Sequence, residues 1–271
     1  MQSGRPRRAS ERLQFCPPVD SARARLGRGL DRSRLRLTFA EEFTRLVAAP
    51  DGVRGWRTTY ANGERTLPAN REAQHYVDPG PDIDTFAVEN GILRIRAAPR
   101  LGPSGLTYSS GLLTTQRLFS QRYGHFEMRA HLPAGPGFWP AFWLLPEDRT
   151  WPPELDVVEV LGHDPCTLWA SVHSREHGVR RATNIPVPVA DLSGGFHLYG
   201  ASWGSETVHW YLDDVEVASA PTPRDMHKPM YLLVNLAVGG PGSWPGPADG
   251  VSSAEMRVDY VRAYRVEPGT P

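Results

Sequence analysis

The sequence of 271 residues has little of what several protein classes depend on. It contains only two cysteines, too few for a disulfide framework or a cysteine-based zinc cluster. No run of about 18 apolar residues occurs, so we expect no membrane-spanning helix and no membrane partner. Long helical periodicity and internal repeats are also missing, which disfavours helical bundles and repeat arrays. A hydrophobic content of 40% still suffices for a sizeable core, so a globular protein built from strands is expected.

The two cysteines lie far apart in the sequence. Cys16 belongs to an arginine-rich N-terminal stretch, and Cys166 follows a run of carboxylates. A bridge between them has no local support in the sequence. We therefore expect two free thiols and no disulfide.

Charge is balanced over the whole sequence but is unevenly placed. Residues 1–36 contain ten arginines against Glu11, Asp20 and Asp31, a net charge of +7, so the remainder carries −7. A neutral total argues against a nucleic-acid partner. The basic leader leaves one alternative open, in which it binds anionic partners through its charge.

The leader, residues 1–34, has few large apolar side chains, and this composition predicts disorder. Arg7 and Arg8 suggest a twin-arginine export signal, but the apolar segment that such a signal needs is missing. The chain therefore carries no recognisable signal peptide.

From about residue 35 onward the pattern is one of short strands. Asn90 and Gly91 lie between two alternating runs, and Asp213 and Asp214 separate two more, so two hairpins are predicted. The 26 glycines and 26 prolines supply many turns. Short strands of this kind indicate one sandwich or barrel domain, which we place at residues 35–268.

Residues 154–159 read Glu-Leu-Asp-Val-Val-Glu and form the most informative stretch. Aliphatic residues between the carboxylates predict a strand with one buried face. Alternate side chains share a face, so Glu154 and Asp156 point the same way. Glu159 has the wrong parity, and a β-bulge at Val157 or Val158 would bring it to the face of the other two.

Three aligned carboxylates suit glycoside hydrolysis with retention, which needs a nucleophile and an acid/base roughly 5–5.5 Å apart. A carboxylate between them can separate their pKa values. From these six residues alone, a solvated strand face and a calcium site remain alternatives.

The surrounding motifs carry a resemblance that covers roughly residues 37–266. Seven stretches stand in an order and at spacings that resemble the laminarinase-like branch of glycoside hydrolase family 16. They are residues 108–111, 123–130, 137–146, 151–153, 235–240, 244–246 and 258–264. The resemblance implies an all-β jelly-roll sandwich of two antiparallel sheets, with substrate lying across the concave sheet.

The resemblance also implies roles for single residues. Glu154 would be the nucleophile, Glu159 the general acid/base, and Asp156 the residue that tunes both. A structural calcium ion would be bound partly by Asp259, with backbone carbonyls near Glu41. Catalysis itself would need no cofactor.

Aromatic and polar residues supply the predicted binding surface. Seven of the eight tryptophans lie between Trp139 and Trp244, and an indole can stack on the apolar face of a pyranose. We expect Trp169 and Trp210 in the core and Trp151 capping the loop before the catalytic strand, and leave Trp203 open. The predicted substrate contacts are Trp139, Trp143, Trp244, His173, Asn70, Tyr76 and Asn235.

The resemblance implies an endo-acting, retaining hydrolase of β-1,3- or mixed β-1,3/1,4-glucan. A depolymerase of bacterial exopolysaccharide is the second interpretation, since residues 225–240 are similar to relatives that trim such polymers. A protein that binds β-glucan without cutting it is the third. We expect a monomer that meets its polysaccharide outside the cell or in the periplasm.

Overall fold

The computed structural model describes residue 16 and residues 28–53, 55–80 and 84–267. Regular structure in this part of the chain consists of eighteen strands and six single 3-10 turns. None of the helical turns described is long and apolar enough to cross a membrane. The strands are β1 (Leu35–Glu41), β2 (Ala48–Ala49), β3 (Trp56–Arg57), β4 (Gln74–Tyr76), β5 (Phe86–Glu89), β6 (Ile92–Pro99), β7 (Tyr108–Ser110), β8 (Leu112–Thr114), β9 (Gly124–His131), β10 (Phe138–Pro146), β11 (Glu154–Leu161), β12 (Asp164–Ser174), β13 (Arg181–Pro188), β14 (His197–Trp203), β15 (Thr207–Leu212), β16 (Val215–Pro221), β17 (Met230–Val238) and β18 (Ala254–Val266). The 3-10 turns are Arg32–Arg34, Pro68–Asn70, Pro103–Gly105, Glu176–Gly178, Leu192–Gly194 and Arg224–Met226.

The strands form two sheets. The outer sheet has ten strands in the order β16-β15-β14-β9-β18-β6-β7-β4, with β1 added on β18 and β5 on β6. The cleft sheet has eight, in the order β13-β12-β11-β10-β17-β8-β3-β2. Neighbouring strands run antiparallel except for two short pairs, β2–β3 and β4–β7, which are parallel. The predicted all-β sandwich is confirmed, with these two pairs as exceptions to the antiparallel rule.

The core lies between the two sheets. On β9 the side chains of Phe126, Met128 and Ala130 alternate inward and are fully buried. They belong to the same apolar cluster as Phe142 and Leu155 of the cleft sheet. Burial of a whole apolar side chain contributes about 1.5–3 kcal/mol, so this layer holds the catalytic strand against the outer sheet.

Both predicted hairpins are present. Asn90 and Gly91, with φ of 53° and 77°, connect β5 to β6, and Asp213 and Asp214, with φ of 50° and 65°, connect β15 to β16. Positive φ at both central residues is the signature of the tight turn that matches strand twist.

The N-terminal boundary lies earlier than residue 35. Gly29 forms an isolated bridge with Val215, and the backbone N–H of Leu30 donates to the carbonyl of Asp214. Arg32 reaches Asp214 and the buried Glu127 of β9. Residues 28–34 therefore pack on the outer sheet, where we had predicted disorder, because an arginine that neutralises a buried carboxylate fixes its segment. The rest of the predicted disordered leader lies outside the described residues, apart from Cys16.

The prediction of two free thiols is wrong. Cys16 and Cys166 form a disulfide, with Cα atoms 5.3 Å apart and a sequence separation of 150 residues. This Cα separation lies within the range that a disulfide spans. Only the tertiary fold brings the leader to the first residues of β12, so the local sequence gave no sign of the bond.

Candidate active site

The catalytic strand β11 carries a bulge at Val157. Across from it on β10, Trp143 opposes Asp156 and the preceding residue, Phe142, opposes Val158, so Val157 is the extra residue. The ladder to β12 is interrupted at the same place, between Asp156 and Glu159. The bulge confirms the parity argument, because Glu154, Asp156 and Glu159 all line one cleft.

An indole from the other sheet stabilises this bulge. Trp210 of β15 is fully buried, and its Nε1 donates to the backbone carbonyl of Asp156 at 2.7 Å. A bulge leaves backbone groups without ladder partners, and an unpaired buried carbonyl is costly. The predicted core position of Trp210 is confirmed, and the contact fixes the backbone of the catalytic strand.

Each end of the carboxylate row receives one indole hydrogen bond. Trp151 Nε1 donates to Glu154 Oε2 at 2.7 Å, and Trp139 Nε1 donates to Glu159 Oε1 at 3.0 Å. Trp151, expected only to cap the preceding loop, thus holds the carboxylate at the start of the strand. The feature of the sequence that could have revealed this contact is the position of Trp151, three residues before Glu154.

His173 lies beside Glu154 and Asp156, at the start of the row. Its Nε2 lies 3.5 Å from Glu154 Oε1 and 3.2 Å from Asp156 Oδ2. Asp156 is 2% exposed, and its Oδ2 has no hydrogen-bond partner among the described residues. The row therefore keeps unused hydrogen-bonding capacity beside the cleft.

Burial makes ionisation of the whole row unfavourable. It raises the pKa of Glu154 to about 8, helped by the neighbouring charge of Asp156, and it raises the pKa of Asp156 to about 8. Burial raises the pKa of Glu159 well above its ordinary value, with further contributions from Asp156 and Glu154. Burial and the two neighbouring carboxylates thus favour the protonated form of Glu159, as a general acid requires.

The row lies at the base of an open cleft of about 580 Å³ on the cleft sheet. Trp139, Trp143 and Trp244 line it, as predicted from the sequence. Trp244 is 41% exposed and makes edge-to-face contacts with Trp139 at 5.5 Å and Trp169 at 5.1 Å between ring centroids. A wall of indoles beside carboxylates suits stacking of sugar rings.

The predicted polar residues divide between the cleft and the layer behind it. Asn70, His173 and Asn235 line the cleft. Tyr76 is fully buried, and its hydroxyl accepts from Asn235 Nδ2 at 2.9 Å, so it lies behind the surface that substrate would touch. Asn235 Oδ1 in turn accepts from Trp143 Nε1 at 2.7 Å. Tyr76 and Asn235 therefore position Trp143.

The expected core position of Trp169 is wrong. Its ring is only partly buried and packs against the exposed Trp244, and its Nε1 has no partner among the described residues. Trp169 opposes Glu159 across the strand pair, which puts it on the carboxylate face. Alternation along β12 agrees with this, because Leu168, Ala170 and Val172 fill the core while Trp169 shares the opposite face with His173. Trp203, left open above, is in the core.

Sequence reasoning missed several residues of the cleft. Tyr60, Tyr231 and Arg149 line it, as do Glu72 and Asn184. These residues come from separate strands and loops. Glu72 lies between the predicted contacts Asn70 and Tyr76, and Tyr231 lies within the marked residues 225–240, but the other three lie outside the marked stretches.

The side chain predicted to bind a calcium ion has a cationic partner in this structure. The carboxylate of Asp259 is paired with the guanidinium of Arg129. The carboxylate of Glu41 accepts from the backbone N–H of Phe43 and from Trp56 Nε1. A hard cation needs about 6–8 oxygen ligands, so a calcium ion held by Asp259 and backbone carbonyls near Glu41 stays a prediction. Among the described residues, the cluster whose side chains could hold a metal is Glu154, Asp156 and His173, with ligand atoms within 4.8 Å of one another.

Comparison with known proteins assigns this site to a family. The family model described as "Glycosyl hydrolases family 16" matches residues 57–262, most of the chain. The chain belongs to this family. Within it, the endo-1,3-1,4-beta-glycanase ExsH of Rhizobium meliloti (strain 1021) is 47% identical over 253 residues, covering 88% of this chain and 53% of that protein. The chain thus spans about half the length of this relative.

Other members of family 16 agree in fold. The beta-glucanase of Rhodothermus marinus is 35% identical over 220 residues, covering 72% of this chain and 75% of that protein. The laminarinase catalytic domain of Thermotoga maritima superimposes with a TM-score of 0.71 at 30% identity, covering 85% of this chain and 98% of the other. The predicted jelly-roll sandwich is therefore confirmed at the level of the family.

Proposed function

We propose that the protein is an endo-acting, retaining glycoside hydrolase of β-1,3- or mixed β-1,3/1,4-glucan. The observation that carries the proposal is the bulged row of buried carboxylates with upward-shifted pKa values at the base of an open, tryptophan-lined cleft. Relatives named as endo-1,3-1,4-beta-glycanase and beta-glucanase support the substrate class. The open cleft suits an internal stretch of a polymer and hence endo cleavage.

In the first step Glu159, protonated, gives its proton to the glycosidic oxygen. The carboxylate of Glu154 attacks the anomeric carbon from the other side, the carbon–oxygen bond to the leaving sugar breaks, and a glycosyl ester forms on Glu154. Trp151 and His173 favour negative charge on Glu154 before the attack. The proton that Glu154 and Asp156 share can then reside on Asp156.

In the second step Glu159 changes role. The ester removes the charge of Glu154, which contributes to the raised pKa of Glu159. Glu159 is now an anion and takes a proton from water as the water attacks the anomeric carbon. The ester bond breaks, Glu154 leaves as a carboxylate, and the product keeps the β configuration.

The test is an assay of product size on laminarin, barley β-glucan and lichenan, with agarose and carrageenan as other polymers. We expect oligosaccharides of several sizes from one of the glucans. With Glu154→Ala we expect no hydrolysis, and azide should restore turnover by forming a glycosyl azide of inverted configuration. Release of single sugars only, or a rescued product of the original configuration, would overturn the proposal.

We further propose that the protein works outside the cytoplasm. The disulfide between Cys16 and Cys166 supports an oxidising compartment. Catalysis without a cofactor and a monomeric state both remain predictions. Activity assayed before and after exhaustive chelation, and molar mass measured in solution, would test them.

A further inference from the structure

A second pocket of about 440 Å³ opens beside the catalytic cleft and is lined by arginines. Arg57, Arg117 and Arg149 contribute to its walls. The two cavities share Arg149, together with Ala61 and Asn62, so a polymer in the cleft can place a substituent in the pocket.

The register of the cleft sheet locates this pocket relative to the carboxylates. Asp156 opposes Trp143, Trp143 opposes Leu233, Leu233 opposes Thr114 and Thr114 opposes Arg57. Side chains opposite one another in a sheet lie on the same face. Four strand spacings of about 4.8 Å place Arg57 roughly 19 Å from Asp156 across the open face.

The other two arginines come from turns at one edge of the sheet. Arg117 follows the end of β8 by three residues, and Arg149 follows the end of β10 by three. These strands run in the same direction, because each is antiparallel to β17 between them. Both arginines have positive φ, 70° and 63° respectively, so each lies in a tight turn.

The arginines of this cluster form no salt bridge among the described residues, although Asp51 also lines the pocket. Arg57 is only 8% exposed, and its guanidinium donates to two neutral groups, Thr59 Oγ1 and Gln116 Oε1, each at 2.9 Å. None of the three arginines has an ion pair within 4.0 Å among the described residues, whereas the neighbouring Arg65 is paired with Asp78. Arg117 and Arg149 are exposed, but Arg57 is a buried charge without an ionic partner, which is costly, so an anionic ligand would stabilise this arrangement.

The electrostatics of Arg57 agree with this geometry. Burial lowers its pKa, and the charges of Arg117 and Arg149 lower it further. The acidic groups that face the cluster, Asp51 and Glu147, are too far away to form salt bridges. The remainder of the chain after residue 36 carries a net charge of −7, so a group of unpaired arginines here runs against the overall charge.

We propose that Arg57, Arg117 and Arg149 form a subsite for a carboxylate-bearing substituent on the polysaccharide. Guanidinium groups bind carboxylates with paired, charge-assisted hydrogen bonds. This inference rests on the proposed function and narrows it, because it assigns an acidic β-glucan, substituted several sugar units from the cleaved bond, as the preferred substrate.

The experiment compares one mixed β-1,3/1,4-glucan in three forms: unmodified, lightly carboxymethylated and lightly sulfated. The ratio of kcat/KM on each anionic form to that on the neutral form is measured for the wild type and for Arg117→Gln/Arg149→Gln. The matched control is Arg36→Gln, an exposed arginine on β1 of the outer sheet. We expect the carboxymethyl ratio to fall about tenfold in the double variant, equivalent to about 1.4 kcal/mol, and to stay unchanged in the control.

A second readout is independent of turnover. In the Glu154→Gln background, the dissociation constant for carboxymethylated glucan should rise with salt, and the double substitution should remove most of that dependence. The inference would be overturned if the double substitution changed neither the carboxymethyl ratio of kcat/KM nor the salt dependence of binding. A loss confined to the sulfated form would overturn the assignment to carboxylate.

The two proposals fail separately. If the wild type hydrolyses none of the three polymers, the proposed function fails, and the binding measurement still decides the arginine subsite. If all three polymers are hydrolysed, and the ratio of kcat/KM on the anionic form to that on the neutral form is the same for the wild type and every variant, the proposed function stands and the arginine subsite fails.

Discussion

Buried carboxylates on the outer sheet and on the cleft sheet differ in their partners. Glu127 on β9 of the outer sheet is fully buried and accepts from Arg32 Nη2 at 2.9 Å and Tyr264 Oη at 2.9 Å, with His125 Nε2 at 3.3 Å. The carboxylates of Glu154 and Glu159 have indole donors and lie beside His173, but no arginine or lysine pairs with them among the described residues.

The difference in partners reverses the effect of burial. Burial alone would raise the pKa of Glu127, but hydrogen bonds from His125 and Arg32 lower it below its ordinary value. In the catalytic row burial prevails, and the pKa values are raised. A buried carboxyl becomes a candidate acid where the fold withholds a cation, and a structural anion where the fold supplies one.

The largest expected effect separates the two sites by activity. Glu159→Gln should reduce kcat/KM on glucan by about 10²–10⁴-fold, since it removes the proton donor. Glu127→Gln has the same chemistry in the outer sheet and should stay close to the wild type. Steady-state kinetics on substrates with good and poor leaving groups check this. Equal loss on both kinds of substrate would contradict the role of Glu159 as the acid.

A second prediction separates the sites by stability. The folded-state pKa of Glu154, about 8, exceeds its ordinary value of 4.5, so the folded state binds more protons between these values and stability falls as pH rises through them. Each pH unit of that difference corresponds to about 1.4 kcal/mol. Glu154→Gln should therefore stabilise the protein by roughly 2–4 kcal/mol at pH 8 and hardly at all at pH 4.

Glu127→Gln should act in the opposite direction. Its lowered pKa contributes stability above about pH 4.5 that is lost as the pH falls, so the variant should be less stable than the wild type at pH 7, and the deficit should shrink in acid. Denaturant unfolding of the wild type and both variants from pH 2.5 to pH 8.5 gives the dependence of stability on pH. If the difference in unfolding free energy between variant and wild type changed with pH in the same direction for both variants, the proposed difference between the two sites would be contradicted.

A third prediction concerns the backbone beneath the row. Trp210→Phe removes the indole donor to the Asp156 carbonyl while keeping most of the apolar volume. Leaving that carbonyl unpaired should cost about 1–3 kcal/mol of stability and should lower kcat more than it raises KM, because it loosens the bulge that aligns Glu159. Trp203→Phe, another buried indole that donates no hydrogen bond among the described residues, is the matched control. An equal drop in kcat for both variants would argue against a specific role of the Trp210 bond.

The smallest effect is a shift in pH dependence. The charge of Asp156 contributes to the raised pKa of Glu159, so Asp156→Asn should lower that pKa. The alkaline limb of the profile of kcat/KM against pH should move to lower pH. A limb that stays in place would show that the charge of Asp156 does not contribute to the pKa of Glu159.

The sequence predicted what depends on local alternation and missed what depends on tertiary contact. The parity of Glu159 required a bulge, and the two hairpins followed from their turn residues. The Trp210 bond to the Asp156 carbonyl joins two sheets, the Cys16–Cys166 bond spans 150 residues, and the Arg129–Asp259 pair joins β9 to β18. Tyr76 lies behind Asn235 because a second layer of side chains supports the cleft, and a motif does not distinguish these two layers.

The most direct test of the comparison is a titration of glutamate carboxyl carbons by NMR in protein labelled with ¹³C at those positions. Signals would be assigned with the variants Glu127→Gln, Glu154→Gln and Glu159→Gln. The account predicts that the signals of Glu154 and Glu159 titrate well above 4.5 and that of Glu127 below it. Titration of Glu154 and Glu159 at or below the midpoint of Glu127 would contradict it.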